Sequence, residues 1–205
     1  MSRSATRPAG RLTYSAGERL NVNLTDGCSL SCRYCFKNAG AGPVIEGTDL
    51  TLERQPSATA IRKALRKELH GYQEVVLAGS GEPTLLELAE FIHRQGKGVW
   101  LVTDRLANLV YRRDVTPQLA GRIDRFSVSF NAPDAETYNR LYRPPWPDAF
   151  DHLCDLLRRV REHVPEVIAT AVEDVEGVDS EACRRLTENE LGVAFRARPK
   201  DTIVE

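Results

Sequence analysis

The chain has 205 residues, 41% of them hydrophobic and 28% charged, with a formal net charge of −1. That is enough chain for one continuous core, and the near-zero charge gives no support to a phosphate-gripping nucleic-acid binder. No apolar run approaches the roughly 18 residues of a membrane-spanning helix.

Met1–Arg11 carries three arginines without an apolar stretch behind them, so it does not resemble a secretory signal. Residues 1–13 are expected to form a flexible tail and 14–205 a single domain, with a cytoplasmic location as the default. Five cysteines are present: Cys28, Cys32 and Cys35 lie within eight residues, and Cys154 and Cys183 stand alone. A tight cluster in a reducing compartment points to metal binding or redox chemistry rather than to disulfides.

Strand-like and helix-like segments alternate along the chain. Arg19–Thr25 alternates apolar and polar residues as a strand does, and Ser57–His70 has helical spacing with Gly71 as its stop. Glu74–Ala78 reads as a short buried strand, 84–95 as a helix, and Val99–Thr103 as the next strand. Thr116–Arg122 is a short helix, Asp124–Phe130 a strand, and Ala135–Tyr142 a helix inside a loop. Asp148–Val164 is a long amphipathic helix. Glu166–Val172, Ser180–Glu188 and Val193–Ala197 complete the series as strand, helix and strand.

These are about six β–α units, which predict an α/β fold with a parallel sheet. Six units are too few for a closed eightfold barrel, which takes about 250 residues. The expected architecture is therefore a partial (β/α)6 TIM-like barrel that binds ligands at the carboxyl ends of its strands.

Cys28-Ser29-Leu30-Ser31-Cys32-Arg33-Tyr34-Cys35 is a CxxxCxxC spacing that starts just past the first strand. Thiolates bind zinc and iron–sulfur clusters alike. A closed zinc site takes four ligands, and here only three cysteines are close, with no histidine within thirty residues. An open coordination position follows. Zinc, and inert packing cysteines, stay as the competing readings.

At the next strand end stands Gly79-Ser80-Gly81-Glu82-Pro83-Thr84. Glycines allow close backbone approach to a ligand, and a carboxylate such as Glu82 accepts from an ammonium. An ordinary strand–helix turn with Pro83 at the helix start would look the same. Thr103-Asp104-Arg105 ends the third strand, where Asp104 is placed either to reach a ribose hydroxyl or to cap the next helix. Ser127, Ser129 and Asn131 share one face of the fourth strand. A polar face on an interior strand implies a lined cavity; on an edge strand it implies only solvation. Arg196 and Arg198, at the last strand's end, suit either carboxylate binding or plain solvent exposure. Tyr142–Pro147 is rigid and aromatic, a substrate lid or a stiff loop whose Trp146 caps the core. Cys154, Cys183 and the four histidines fall on expected helices, away from the strand ends.

CxxxCxxC with an aromatic before the last cysteine, followed by a Gly-Ser-Gly-Glu-Pro loop, resembles the radical S-adenosylmethionine (SAM) enzymes. The resemblance implies that Cys28, Cys32 and Cys35 hold a 4Fe-4S cluster whose fourth iron chelates SAM. It further implies that Tyr34 packs near the adenine and that Gly79, Ser80, Gly81, Glu82 and Pro83 surround the methionine amino group. Asp104, Ser129, Asn131 and Arg198 would complete the SAM-binding set. The implied activity is reductive cleavage of SAM to a 5′-deoxyadenosyl radical that abstracts hydrogen from a substrate the sequence does not name.

The pattern from about Tyr14 to Pro199 looks like the short radical SAM proteins named for association with TatD-family nucleases. Thr103-Asp104-Arg105 departs from it, since relatives often carry Thr-Asn-Gly there. A reductant such as flavodoxin or ferredoxin and a functional link to a TatD nuclease would be the partners. A glycyl-radical-activase-like protein and a non-catalytic iron–sulfur module are the alternatives.

Overall fold

The structure, a computed structural model, describes residues 11–25, 27–33, 35, 44–45, 48–52, 54–78, 83–103, 106–173 and 175–199. Seven strands form one sheet: β1 (Thr13–Ala16), β2 (Arg19–Asn23), β5 (Glu74–Ala78), β6 (Gly98–Thr103), β7 (Arg125–Ser129), β8 (Glu166–Val172) and β9 (Ala194–Arg198). β3 (Val44–Ile45) and β4 (Thr48–Asp49) pair as a separate small hairpin. The strand order β1-β2-β5-β6-β7-β8-β9 follows the chain. Within this sheet every pairing from β2 onward is parallel. A doubly wound sheet reverses its order at a switch point. This one never does, so its six parallel strands progress in one direction, as expected of a partial barrel.

Each parallel strand turns alternate residues to the helices. Leu20 and Val22, Val75 and Leu77, Val99 and Leu101, Phe126 and Val128, and Val167 and Ala169 all join the core. They pack with residues from α1 (Ala58–Glu68), α2 (Pro83–His93), α4 (Ala135–Tyr142) and α5 (Ala149–Val160). Side-chain oxygens cap the starts of α1 and α4. Ser57 Oγ accepts from Ala60 N at 3.2 Å and Asp134 Oδ1 from Thr137 N at 2.8 Å, each satisfying an amide that the first turn leaves bare. In α5 the buried Leu153, Cys154, Leu157 and Val160 repeat at helical spacing.

The alternate face lines the barrel interior. At its amino-terminal edge Arg19 Nε lies 2.9 Å from Glu74 Oε2, Arg125 Nη1 is 3.2 Å from Glu74 Oε1, and Arg125 Nε is 2.6 Å from Glu166 Oε2. Both guanidinium groups lie over the Trp100 ring, 4.5 and 4.8 Å from its centroid. Trp100 is only 2% exposed, so these five residues make a floor across β2, β5, β6, β7 and β8. Trp100→Ala is expected to lower stability by about 3–5 kcal/mol, read as a lower thermal midpoint of the apo-protein.

Several elements differ from expectation. β1 was not foreseen, and it begins at Thr13, within the stretch expected as tail. It is antiparallel to β2 and joined to it by Gly17-Glu18, with Gly17 at φ 56° as a two-residue hairpin requires. A five-residue helix, α3 (Ala107–Tyr111), was also missed. The helix expected over 116–122 is a 3-10 turn at Thr116–Leu119. The one expected over 180–188 stops as α6 (Ser180–Arg185) and continues as a π turn over Leu186–Leu191, ended by Gly192 at φ 64°. Two bonds from Thr187 Oγ1, to Cys183 O at 3.0 Å and Arg184 O at 3.1 Å, accompany that change.

Candidate iron–sulfur and cofactor site

The cysteine loop leaves the carboxyl end of β2. Leu24 and Leu30 bury themselves in the core, and Cys32 packs against it. Between these anchors Cys28 is exposed, while Cys32 and Cys35 are half-buried. Cys35 N donates to Cys32 O at 3.2 Å, making the CxxC segment a tight turn. Thr25 Oγ1 accepts from Gly27 N at 3.0 Å just before Cys28. The loop is also tied from outside. Ser31 N donates to Tyr142 O and Arg33 N to Leu141 O, each at 3.0 Å, so the last turn of α4 holds it.

None of the five cysteines is in a disulfide. Among the described residues no three His, Cys, Asp or Glu side chains are already gathered around one point. The donor chemistry of the three loop thiols suits an iron–sulfur cluster: soft sulfurs, three in number, on a strand exit.

Cys154 and Cys183 are different. Both are buried, and desolvation pushes their thiols up to about 11 and about 12 respectively. Alkylation of the native apo-protein at mild alkaline pH should therefore modify the three loop cysteines quickly and all five only on unfolding, as counted by mass spectrometry. The sign of the linkage follows. A raised folded-state value favours the native state fully below about pH 9, and that contribution is lost as pH rises towards 11 to 12.

β7 sits between β6 and β8, so its polar face is interior and not a solvated edge. Ser127 and Asn131 are buried and Ser129 half-buried. Asn131 Oδ1 accepts from Val172 N at 2.8 Å, closing the exit of β7 onto β8. That bond gives Asn131 a structural task beside the SAM contact expected of it. Arg198 and Ser129, 69 residues apart, are brought together: Nη2 is 3.4 Å from Ser129 Oγ, and Nε is 3.4 Å from Thr170 Oγ1. The guanidinium thus spans the carboxyl edges of β7, β8 and β9 on the interior face. Thr170 was not singled out from the sequence, since a lone threonine in EVIATAV carries no motif.

Trp146 packs partly buried against the core, as a stiff loop would place it. A further unforeseen contributor is Asn23, whose Nδ2 donates to Leu50 O at 2.7 Å and Arg11 O at 3.1 Å. It fastens a residue ahead of β1 and the stretch after β4 to the end of β2. Tyr34, Gly79, Ser80, Gly81, Glu82 and Asp104 lie outside the described residues, as does Arg105; Pro83 opens the backbone of α2.

The model of the radical SAM superfamily matches residues 22–172, from within β2 to the end of β8. The chain belongs to the radical SAM superfamily. Members of this superfamily use a 4Fe-4S cluster and SAM, and these are the cofactors of the chain. The fold is also similar to a solved structure of TYW1 with a lysine-pyruvate adduct bound, at TM-score 0.56 and 14% identity. That likeness covers 88% of this chain and 65% of the other, so the chain spans less than two thirds of that protein's length. No curated protein matches. Among the described residues no helix is long and apolar enough to cross a membrane.

Proposed function

We propose that this protein is a radical SAM enzyme acting on a substrate reached from the carboxyl edge of its barrel. The observation that carries the reading is the three-thiol loop at the exit of β2, one ligand short of a closed site. When bound, cluster and SAM supply a 5′-deoxyadenosyl radical that abstracts hydrogen from substrate.

The chain's own residues divide the work. Cys28, Cys32 and Cys35 hold the cluster. The Gly79–Pro83 loop at the exit of β5 takes the methionine ammonium, with Glu82 as its carboxylate partner. Tyr34 packs on the adenine, and Asp104 reaches the ribose. Ser129 and Arg198 face the same interior edge, where a planar guanidinium held by two neutral hydroxyls suits a carboxylate. The floor of Arg19, Glu74, Trp100, Arg125 and Glu166 directs ligands to the opposite edge. The motif pattern supports the TatD-associated subgroup, a flavodoxin- or ferredoxin-type electron donor and a cytoplasmic location.

The test is anaerobic reconstitution with iron and sulfide, then reduction with SAM present. The expected product is 5′-deoxyadenosine, formed slowly without substrate. A fully loaded, reducible cluster that yields none would leave a non-catalytic iron–sulfur module as the better description.

A further inference from the structure

Tyr142 ends α4 and is completely buried. Its two oxygens serve different elements. The backbone carbonyl accepts from Ser31 N at 3.0 Å, in the middle of the cysteine loop. The phenol Oη donates to Ser129 O at 3.2 Å and accepts from Asn131 N at 3.1 Å, at the exit of β7. One residue therefore joins the cysteine loop, through its backbone carbonyl, to the strand edge that carries Ser129, through its phenol. The ring is fixed sideways by Tyr138, at 4.7 Å between centroids, and Tyr138 in turn meets Phe150 at 5.8 Å. Arg143, next in the chain, adopts φ 47°, a left-handed conformation uncommon outside glycine. That turn stops the helix where Leu141 O and Tyr142 O are exposed to donors, and Arg33 N and Ser31 N are the donors that arrive.

We infer that Tyr142 is a positioning residue: through its carbonyl and its phenol it sets where the cysteine loop stands relative to the Ser129–Asn131 edge. The inference rests on the reading of Cys28, Cys32 and Cys35 as cluster ligands. The chain gains a fixed distance between two segments that share no covalent constraint, which are 98 residues apart from Ser31 to Ser129. A loop that must close on a cluster benefits from such a preset, because less freedom is lost on closing.

Tyr142→Phe keeps the ring and the carbonyl and removes only the phenol oxygen. It should leave the cluster loadable, accelerate iron loss to a chelator by roughly tenfold, and weaken SAM binding by a similar factor. Amide exchange at Ser31 and Arg33 in the apo-protein should speed up as well. Tyr72→Phe is the control, since the Tyr72 hydroxyl pairs with the Ser15 hydroxyl on β1. It should change thermal stability without changing iron loss. If Tyr142→Phe does not fold, Ser31→Pro removes one donor from the loop and leaves α4 whole; it should reproduce the faster iron loss. Iron loss and amide exchange at the parent rate, in whichever variant folds, would overturn the inference. Failure of the parent protein to bind iron at all would instead refute the ligand assignment on which it stands.

Discussion

Cys32→Ala is expected to abolish the iron–sulfur chromophore and bring 5′-deoxyadenosine formation to background. The reason is coordination number. Three thiolates hold a cluster with one open iron, and removing one leaves two irons bare to water and oxidant. Among the three proposed ligands Cys32 packs against the core, and its carbonyl closes the turn to Cys35. Cys154→Ser is the matched control. It removes a buried thiol of similar size that sits on α5, so it should lower thermal stability while leaving iron content intact. Full iron occupancy in Cys32→Ala would refute the assignment, and equal iron loss in both variants would point to general unfolding instead.

The second large effect is expected at Arg198. Arg198→Met keeps the length of the side chain and removes its charge and donors. If the guanidinium takes a carboxylate of SAM, the KM for SAM should rise about 10- to 100-fold, the equivalent of losing about 1.5–3 kcal/mol of charge-assisted hydrogen bonding. Arg198→Lys should recover only part, because an ammonium cannot reproduce the planar fork that also meets Ser129 and Thr170. An unchanged KM with a reduced kcat would move Arg198 from cofactor to substrate. No change in either would return it to a role in fastening β9 to its neighbours.

The repeating part of the fold was legible because parallel strands are buried on the helix side and announce themselves as short apolar runs. Glu74–Ala78 and Glu166–Val172 were bounded correctly on that signal. β1 was not, because TYSA has no such run and its partner strand supplies most of its hydrogen bonds. The cue that it offered was Ala16-Gly17-Glu18-Arg19, a glycine-led two-residue turn before a strand. The π turn after α6 was illegible for a different reason: no periodicity of the sequence records a one-residue widening of a helix.

The site was legible where chemistry is local and illegible where it is not. Three cysteines in eight residues declare themselves. The meeting of Arg198 with Ser129 and Thr170 exists only once three strands are in register. Likewise Tyr142 looked like the aromatic end of a helix and turned out to hold two segments at once.

The salt-bridged layer at Trp100 is also neutral as a unit: the two guanidinium groups of Arg19 and Arg125 face the carboxylates of Glu74 and Glu166, so the charges cancel at close range and this end of the sheet presents no net charge to an incoming ligand.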